Sequence, residues 1–388
     1  MTAELPDEAY VLGLAMCPDI GPATIRRLLE RYDPREAWER TAEGALRSHD
    51  QLVVSWRRHE EHGISVLTRD HPSYPPRLLP DPMAPPVLFC RGNTGVLDCT
   101  PTVAVVGTRS PTRYGIGVAA QLGADLAAAG VSVVSGLAMG IDGAAHEGAC
   151  GAGAPPIGVV AGGLDEPYPL RHARLWTRVE EHGAIISESP AGVRTQKWRF
   201  PVRNRLIAAM SDVVVVVESR HHGGSRHTVE AALDAGVRVG AVPGSIRSIT
   251  SEGTNALLAE GAFPVCSASD VLIALELAYA GSPEVRSWRA HSDEHPPDPA
   301  PGEERLVYDS LSADPQSLDE LVRATRLDFP ALCGALERLA QAGLARGVRG
   351  MVGTRLTGGT RRPERRDRAR VRRTGKHGVV SADPVSGG

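Results

Sequence analysis

Hydrophobic and polar positions change their rhythm twice along the chain. Residues 1 to about 80, including "DEAYVLGLAMCPDIGPATIRRLLERYDPREAWER", alternate helix-period segments with Gly and Pro punctuation and hold no strand-like run. They predict a small helical domain. From about 100 to 275 come short apolar runs, "TVAVVGTR", "VSVVSG", "IGVVAGG", "AIISES", "DVVVVVES" and "VRVGAVPG", each followed by a Gly-containing turn and helical material. Continuous rather than alternating apolar strands belong to a parallel sheet covered on both faces, so residues 81–280 read as a Rossmann-like, doubly wound α/β domain. Residues 281–302, "GSPEVRSWRAHSDEHPPDPAPG" with a final Gly, read as a Pro-rich linker. Residues 303–357 give three short amphipathic helices and two weak strands, the order of a winged helix. Residues 358–388 form an Arg-dense tail without apolar periodicity, which composition assigns to a disordered arm.

The 42% hydrophobic content suits a globular chain of 388 residues, and the net charge of −3 leaves any anion-binding surface to local clustering. No apolar run approaches the roughly 20 residues of a membrane span, and the N-terminus has no signal-peptide layout, so a cytoplasmic protein is expected. Six scattered cysteines without a CxxC pair point to neither a zinc site nor a disulfide framework. In the helical part, "DIGPATIRRLLERY" is similar to a helix-hairpin-helix or SAM-like element, or is a plain helix capped by a turn.

Ligands of open α/β sheets sit beyond the carboxyl ends of the strands, so the turns there deserve scrutiny. After the first strand, Gly107, Thr108, Arg109 and Ser110 offer a close turn, amides and a cation at a helix start. Gly136 and Gly140 flank the second turn, with Asp142 and His146 one helical turn apart; a capping Asp and a hydrogen-bonded His fit better than an acid/base couple. Gly223, Gly224 and Ser225 form another phosphate-sized loop. No GxGxxG follows the first strand and no GxxxxGK[ST] occurs, so no cofactor is expected. The segment "KWRFPVRNR" places Lys197, Arg199, Arg203 and Arg205 around Trp198 and Phe200. Cations with aromatics suit a single nucleic-acid strand, held by its phosphates and by stacked bases. Core or interface aromatics with carboxylate-paired arginines are the equal alternative.

Together these pieces resemble the DprA/Smf (DNA processing protein A) family. They occur in the family's order: "VAVVGTRSPTRYG", "VVSGLAMGIDGAAHEGA", "GVVAGGLDEPYP", "ISESPAG", "KWRFPVRNRLIAAMSDVVVVVES", "GGSRHTVEAA" and "AVPGS" with "EGTNALLAEGA". The resemblance is strong over about 100–265. It implies a homodimeric, non-catalytic recombination mediator that binds single-stranded DNA in a basic pocket. It further implies that the protein assists loading of RecA in natural transformation, on DNA carrying single-strand-binding protein. By motif position the DNA contacts would be Arg109, Lys197, Phe200, Arg203, Asn204 and Arg205, with Gly224 and Ser225 closing the pocket and Gly107, Thr108, Ser110 and Arg199 alongside. Arg226 and Val229 depart from the family's loop pattern.

Two other readings compete. "GGSRHTVEAA" also resembles the PGGxGTxxE stretch of cytokinin-releasing phosphoribohydrolases, which would make Glu230 an acid/base residue. A docking scaffold would instead depend on the terminal domains.

Overall fold

The computed structural model describes residues 5–45, 48–99, 101–279, 300–311, 316–341, 345–348 and 351–354. The Arg-rich tail and nearly all of the Pro-rich linker lie outside them. Four helices open the chain: α1 (Asp7–Ala15), α2 (Pro22–Leu29), α3 (Pro34–Ala45) and α4 (His49–Glu61). They enclose Tyr10, Leu14, Ile25, Trp38 and Leu52. Gly13 is needed in α1 because a Cβ there would come within 2.6 Å of the Trp38 ring. One of the three arginines of the hairpin-like segment is engaged by the chain itself: Arg26 donates to the Ala84 carbonyl (2.6 Å) and to that of Pro82.

The central sheet has nine strands: β1 (Ser65–Thr68), β2 (Val87–Gly92), β3 (Thr102–Val106), β4 (Ser132–Ser135), β5 (Ile157–Val160), β6 (Ala184–Ser187), β7 (Val213–Val216), β8 (Arg238–Ala241) and β9 (Phe263–Pro264). Their order is β1-β2-β6-β5-β4-β3-β7-β8-β9, parallel from β6 to β9, with β1 and β2 antiparallel at one edge. The strand β1 is new: its four-residue run lies in the region read as wholly helical. So short a run carries no period of its own, and its partner β2 lies some twenty residues onward.

Side chains alternate between the two buried faces. Ala104, Val106, Val214 and Val216 face Leu206, Ile207 and Val229 of α8 (Arg199–Ala209) and α9 (Arg226–Asp234). Val103, Val105, Val213 and Val215 face Leu122, Ala145 and Leu275 of α5 (Arg113–Ala128), α6 (Ile141–Ala149) and α11 (Ala268–Ala278). Apolar residues are thus required at every position, which is why these strands read as unbroken runs. The crossovers α7 (Ala173–His182) and α10 (Glu252–Ala259) complete the layers.

The winding direction reverses between β3 and β7. The sheet therefore has a crevice at the carboxyl ends of these two strands.

The C-terminal elements are α12 (Glu303–Ser310), β10 (Gln316–Ser317), α13 (Leu318–Thr325), α14 (Phe329–Gln341), β11 (Ala345–Val348) and β12 (Met351–Thr354), with strands ordered β10-β12-β11. Val307, Leu321, Leu332 and Leu339 form their core, and Ser317 starts α13 with a capping box to Glu320. Arg338, the sole cation of α14, pairs with Glu304. Among the described residues no helix is long and apolar enough to cross a membrane.

The helices that carry the crevice loops approach very closely. A Cβ at Gly148 would sit 2.0 Å from the Ala120 carbonyl oxygen, and one at Gly123 2.2 Å from that of Ala145. Gly148→Ala is expected to cost about 1–3 kcal/mol through overpacking. Urea unfolding should show a lower midpoint at an unchanged slope; an unchanged midpoint would mean that α5 and α6 can separate freely.

Candidate nucleic-acid interface

At the crevice the first surprise is a carboxylate. Glu218, buried just after β7, accepts from the Thr112 amide (2.8 Å), the Thr112 hydroxyl (2.6 Å) and the Thr250 hydroxyl (3.2 Å), while its backbone carbonyl accepts from the Thr108 amide (2.7 Å). Thr112 is the N-cap of α5. The helix N-terminus that a Rossmann-like fold ordinarily turns to a phosphate is thus occupied by the protein's own anion. Gly115 makes room for it, since a Cβ there would lie 2.3 Å from Glu218 Oε2. The expectation that the amides of Thr108 to Ser110 face a phosphate at this helix start needs correction. Thr108 donates to Glu218, and the Ser110 amide donates to the Thr108 hydroxyl at 3.3 Å.

Beneath the crevice two buried groups of opposite charge, Arg203 and Asp142, each bonded to Gly136, set the floor. Arg203 on α8 donates to the Gly136 carbonyl (2.8 Å) and to that of Val159, while Asp142 accepts from the Gly136 amide (3.1 Å). Burial lowers the Arg203 guanidinium to about 10, opposed by Asp142; burial likewise raises Asp142, opposed by Arg203 and the Gly136 amide. Gly136 must be glycine, because a Cβ would fall 2.5 Å from both side chains. Asp142 lies in the first turn of α6 but does not cap it, and His146 below it has no hydrogen-bond partner on either ring nitrogen.

Above this floor opens a cleft of about 450 Å³. It gathers Gly107, Thr108, Arg109, Lys197, Phe200, Arg203, Asn204, Gly224 and Ser225, nine of the twelve residues singled out from sequence. Pro201 sits in the first turn of α8, where its missing amide costs nothing, and that turn directs Lys197, Phe200 and Asn204 to one side. The Arg109 guanidinium lies 4.1 Å from the Phe200 ring centre, and Tyr168 stands 6.0 Å from it. Phe200 is therefore half of a stacked cation and ring, rather than a bare platform. Asn204 donates to the Gly224 carbonyl (3.2 Å), joining α8 to the glycine loop, and the Ser225 hydroxyl is spent on Ser219 (2.8 Å).

Three residues from the same reading lie elsewhere. Ser110 is outside the cleft lining. Arg205 reaches back to the Met83 carbonyl (2.9 Å) and pairs with half-buried Glu188. Arg199 points to the opposite side of α8, toward Ser189. Conversely, Arg220, His227 and Thr228 line the cleft and were missed. Arg220 follows the carboxyl end of β7 directly, and strand position alone could have flagged it. Among the described residues no carboxylate lies within ion-pair distance of Arg109, Lys197 or Arg220. The described residues contain no cluster of three metal-ligating side chains.

This architecture matches known proteins over most of its length. Residues 65–276 match the family model of DNA recombination-mediator protein A, and 291–350 match the DprA winged helix domain. The chain belongs to the DNA recombination-mediator protein A family. A DNA processing protein DprA of Mycobacterium tuberculosis is 36% identical over 313 residues, covering 77% of this chain and 78% of its own. The Bacillus subtilis protein is 37% identical over 213 residues, covering 55% and 72%. The X-ray structure of DNA processing protein A from Streptococcus pneumoniae superposes with a TM-score of 0.56 at 32% identity, over 69% of this chain and 93% of that one. A Helicobacter pylori structure of the same family, described for its single-stranded DNA binding mode, gives 0.50 at 30% identity, over 55% and 95%.

Burial lowers the His146 imidazole to about 4 from an ordinary 6.5. The unfolded chain takes up this proton at a higher pH than the folded one. Stability should therefore fall as pH drops from about 6.5 toward about 4, by up to about 3 kcal/mol. His146→Leu is expected to remove that share of the slope in urea unfolding at stepped pH, leaving the part contributed by His59, which burial also lowers. An unchanged slope would show that His146 is charged within the fold.

Proposed function

We propose that the cleft binds single-stranded DNA, and that the chain uses it as a recombination mediator assisting RecA on strands carrying single-strand-binding protein. One observation carries this reading: Arg109, Lys197 and Arg220, none matched by a nearby carboxylate among the described residues, converge with Phe200 on one open cleft. Phosphates need unpaired cations, and a ring with a guanidinium on it gives bases a flat surface without regard to their identity. The Helicobacter pylori relative's described DNA binding supports the same use of the fold. A homodimer acting in the cytoplasm, without catalysis and in natural transformation or general recombination, completes the proposal.

The nucleotide-hydrolase reading finds no support in geometry. Glu230, its acid/base candidate, is more than half exposed, lies outside the cleft lining, and pairs with Arg226 and His227 on its own helix.

Lys197→Ala/Arg109→Ala is expected to weaken binding to labelled oligo-dT about ten- to hundredfold. Duplex of equal length should bind weakly to both proteins. If Arg109, Lys197 and Arg220 each neutralise one phosphate, the wild-type salt dependence should have a log–log slope of about −2. Full retention of strand affinity by the double variant would remove the cleft from the account.

A further inference from the structure

The first turn of α8 has a second working side. Lys197 and Phe200 face the cleft, whereas Trp198 and Arg199 face a small recess bordered by Ser189 and Val202. Trp198 is 56% exposed, and Val202, one helical turn on, is 43% exposed, so the two form an apolar ledge in solvent. The indole is not loose: its Nε1 donates to Gln196 Oε1 at 2.5 Å, and the Arg199 guanidinium lies 4.4 Å from its ring centre.

Arg199 itself is poorly compensated. Its Nη1 donates to the Ser189 hydroxyl (3.0 Å), its Nε is buried without a partner, and no carboxylate of the described residues pairs with it. Burial alone lowers its guanidinium. A cation held partly out of water beside a neutral hydroxyl lacks a counter-ion. Glu188, the carboxylate bordering the recess, does not supply one, being committed to Arg205.

We infer that the ledge of Trp198 and Arg199 is a second stacking station for the same DNA strand: one base lies on the indole and its phosphate meets Arg199. The chain then turns over the start of α8 between Lys197 on the cleft side and Trp198 outside. The occupant is a polynucleotide, because an exposed aromatic plane with a guanidinium lacking an anion matches the alternation of base and phosphate. This rests on the cleft's being the primary strand site, and it makes the footprint longer than the cleft.

The test is fluorescence anisotropy of the full-length protein with oligo-dT of increasing length, from strands that just fill the cleft to ones several nucleotides longer. Wild type should gain affinity with each added length until the ledge is occupied. Trp198→Ala should match wild type on the short strands and lose the gain on longer ones, about 5- to 150-fold. Trp198→Phe should restore most of it, and Arg199→Gln should lower the salt slope only for long strands. Lys197→Ala should weaken every length. If Trp198→Ala follows wild type at all lengths while Lys197→Ala is weakened, the ledge is refuted and the cleft stands. Equal weakening by Trp198→Ala at every length would also refute a separate station. Indifference to both substitutions would refute the cleft itself.

Discussion

The hydrogen bonds from Thr112 and Thr250 to the Glu218 carboxylate tie together the loops after β3, β7 and β8, beside the β3–β7 ladder where the winding reverses. The consequence reaches beyond stability. An anion supplied from within the chain takes the N-cap amide of α5, a donor that doubly wound folds commonly turn to a phosphate. The charge of the cleft then comes from side chains, with Arg109 in that same turn and Lys197 and Arg220 beside it. A nucleotide-binding architecture is thereby converted into an open groove whose charge comes from flexible side chains, which suits a polymer of variable sequence better than one defined small molecule.

The second constraint is the placing of two buried opposite charges, Arg203 and Asp142, on Gly136. Left alone, a carboxylate under the cleft would repel phosphate; bonded by the Gly136 amide and offset by the charge of Arg203, it orients the floor instead. Buried pairs seldom add net stability, but losing one member is costly because the other charge is stranded. The cleft thus stays locally cationic although the whole chain carries −3. Local placement of charge, more than its sum, gives the cleft its cationic character.

Much of this was legible in the chain, and the exceptions have physical causes. The strands β3 to β8 announce themselves because burial on both faces favours runs of Val, Ile and small residues. The strand β1 did not, being four residues long and dependent on a distant partner. In "KWRFPVRNR" the composition pointed to the site but could not sort its members. Only the turn before α8 and the helical period from Arg199 onward send Lys197, Phe200 and Asn204 into the cleft, Arg199 to the far side and Arg205 back to Glu188. The turn after β3 looked like a phosphate cradle because nothing local reveals that Glu218, more than a hundred residues onward, already fills it. Short-range pattern identifies elements and candidate chemistry; long-range pairing decides which candidates stay free.

The chain contains two lysines, Lys197 and Lys376, and this permits a direct measurement of the central claim that a DNA strand lies across the cleft. Quantitative lysine acetylation, read by mass spectrometry with and without saturating oligo-dT, reports on Lys197 in the unmutated protein. The account predicts strong protection of Lys197 by the single strand and little by an equal amount of duplex. Equal acetylation of Lys197 with and without bound strand would contradict it.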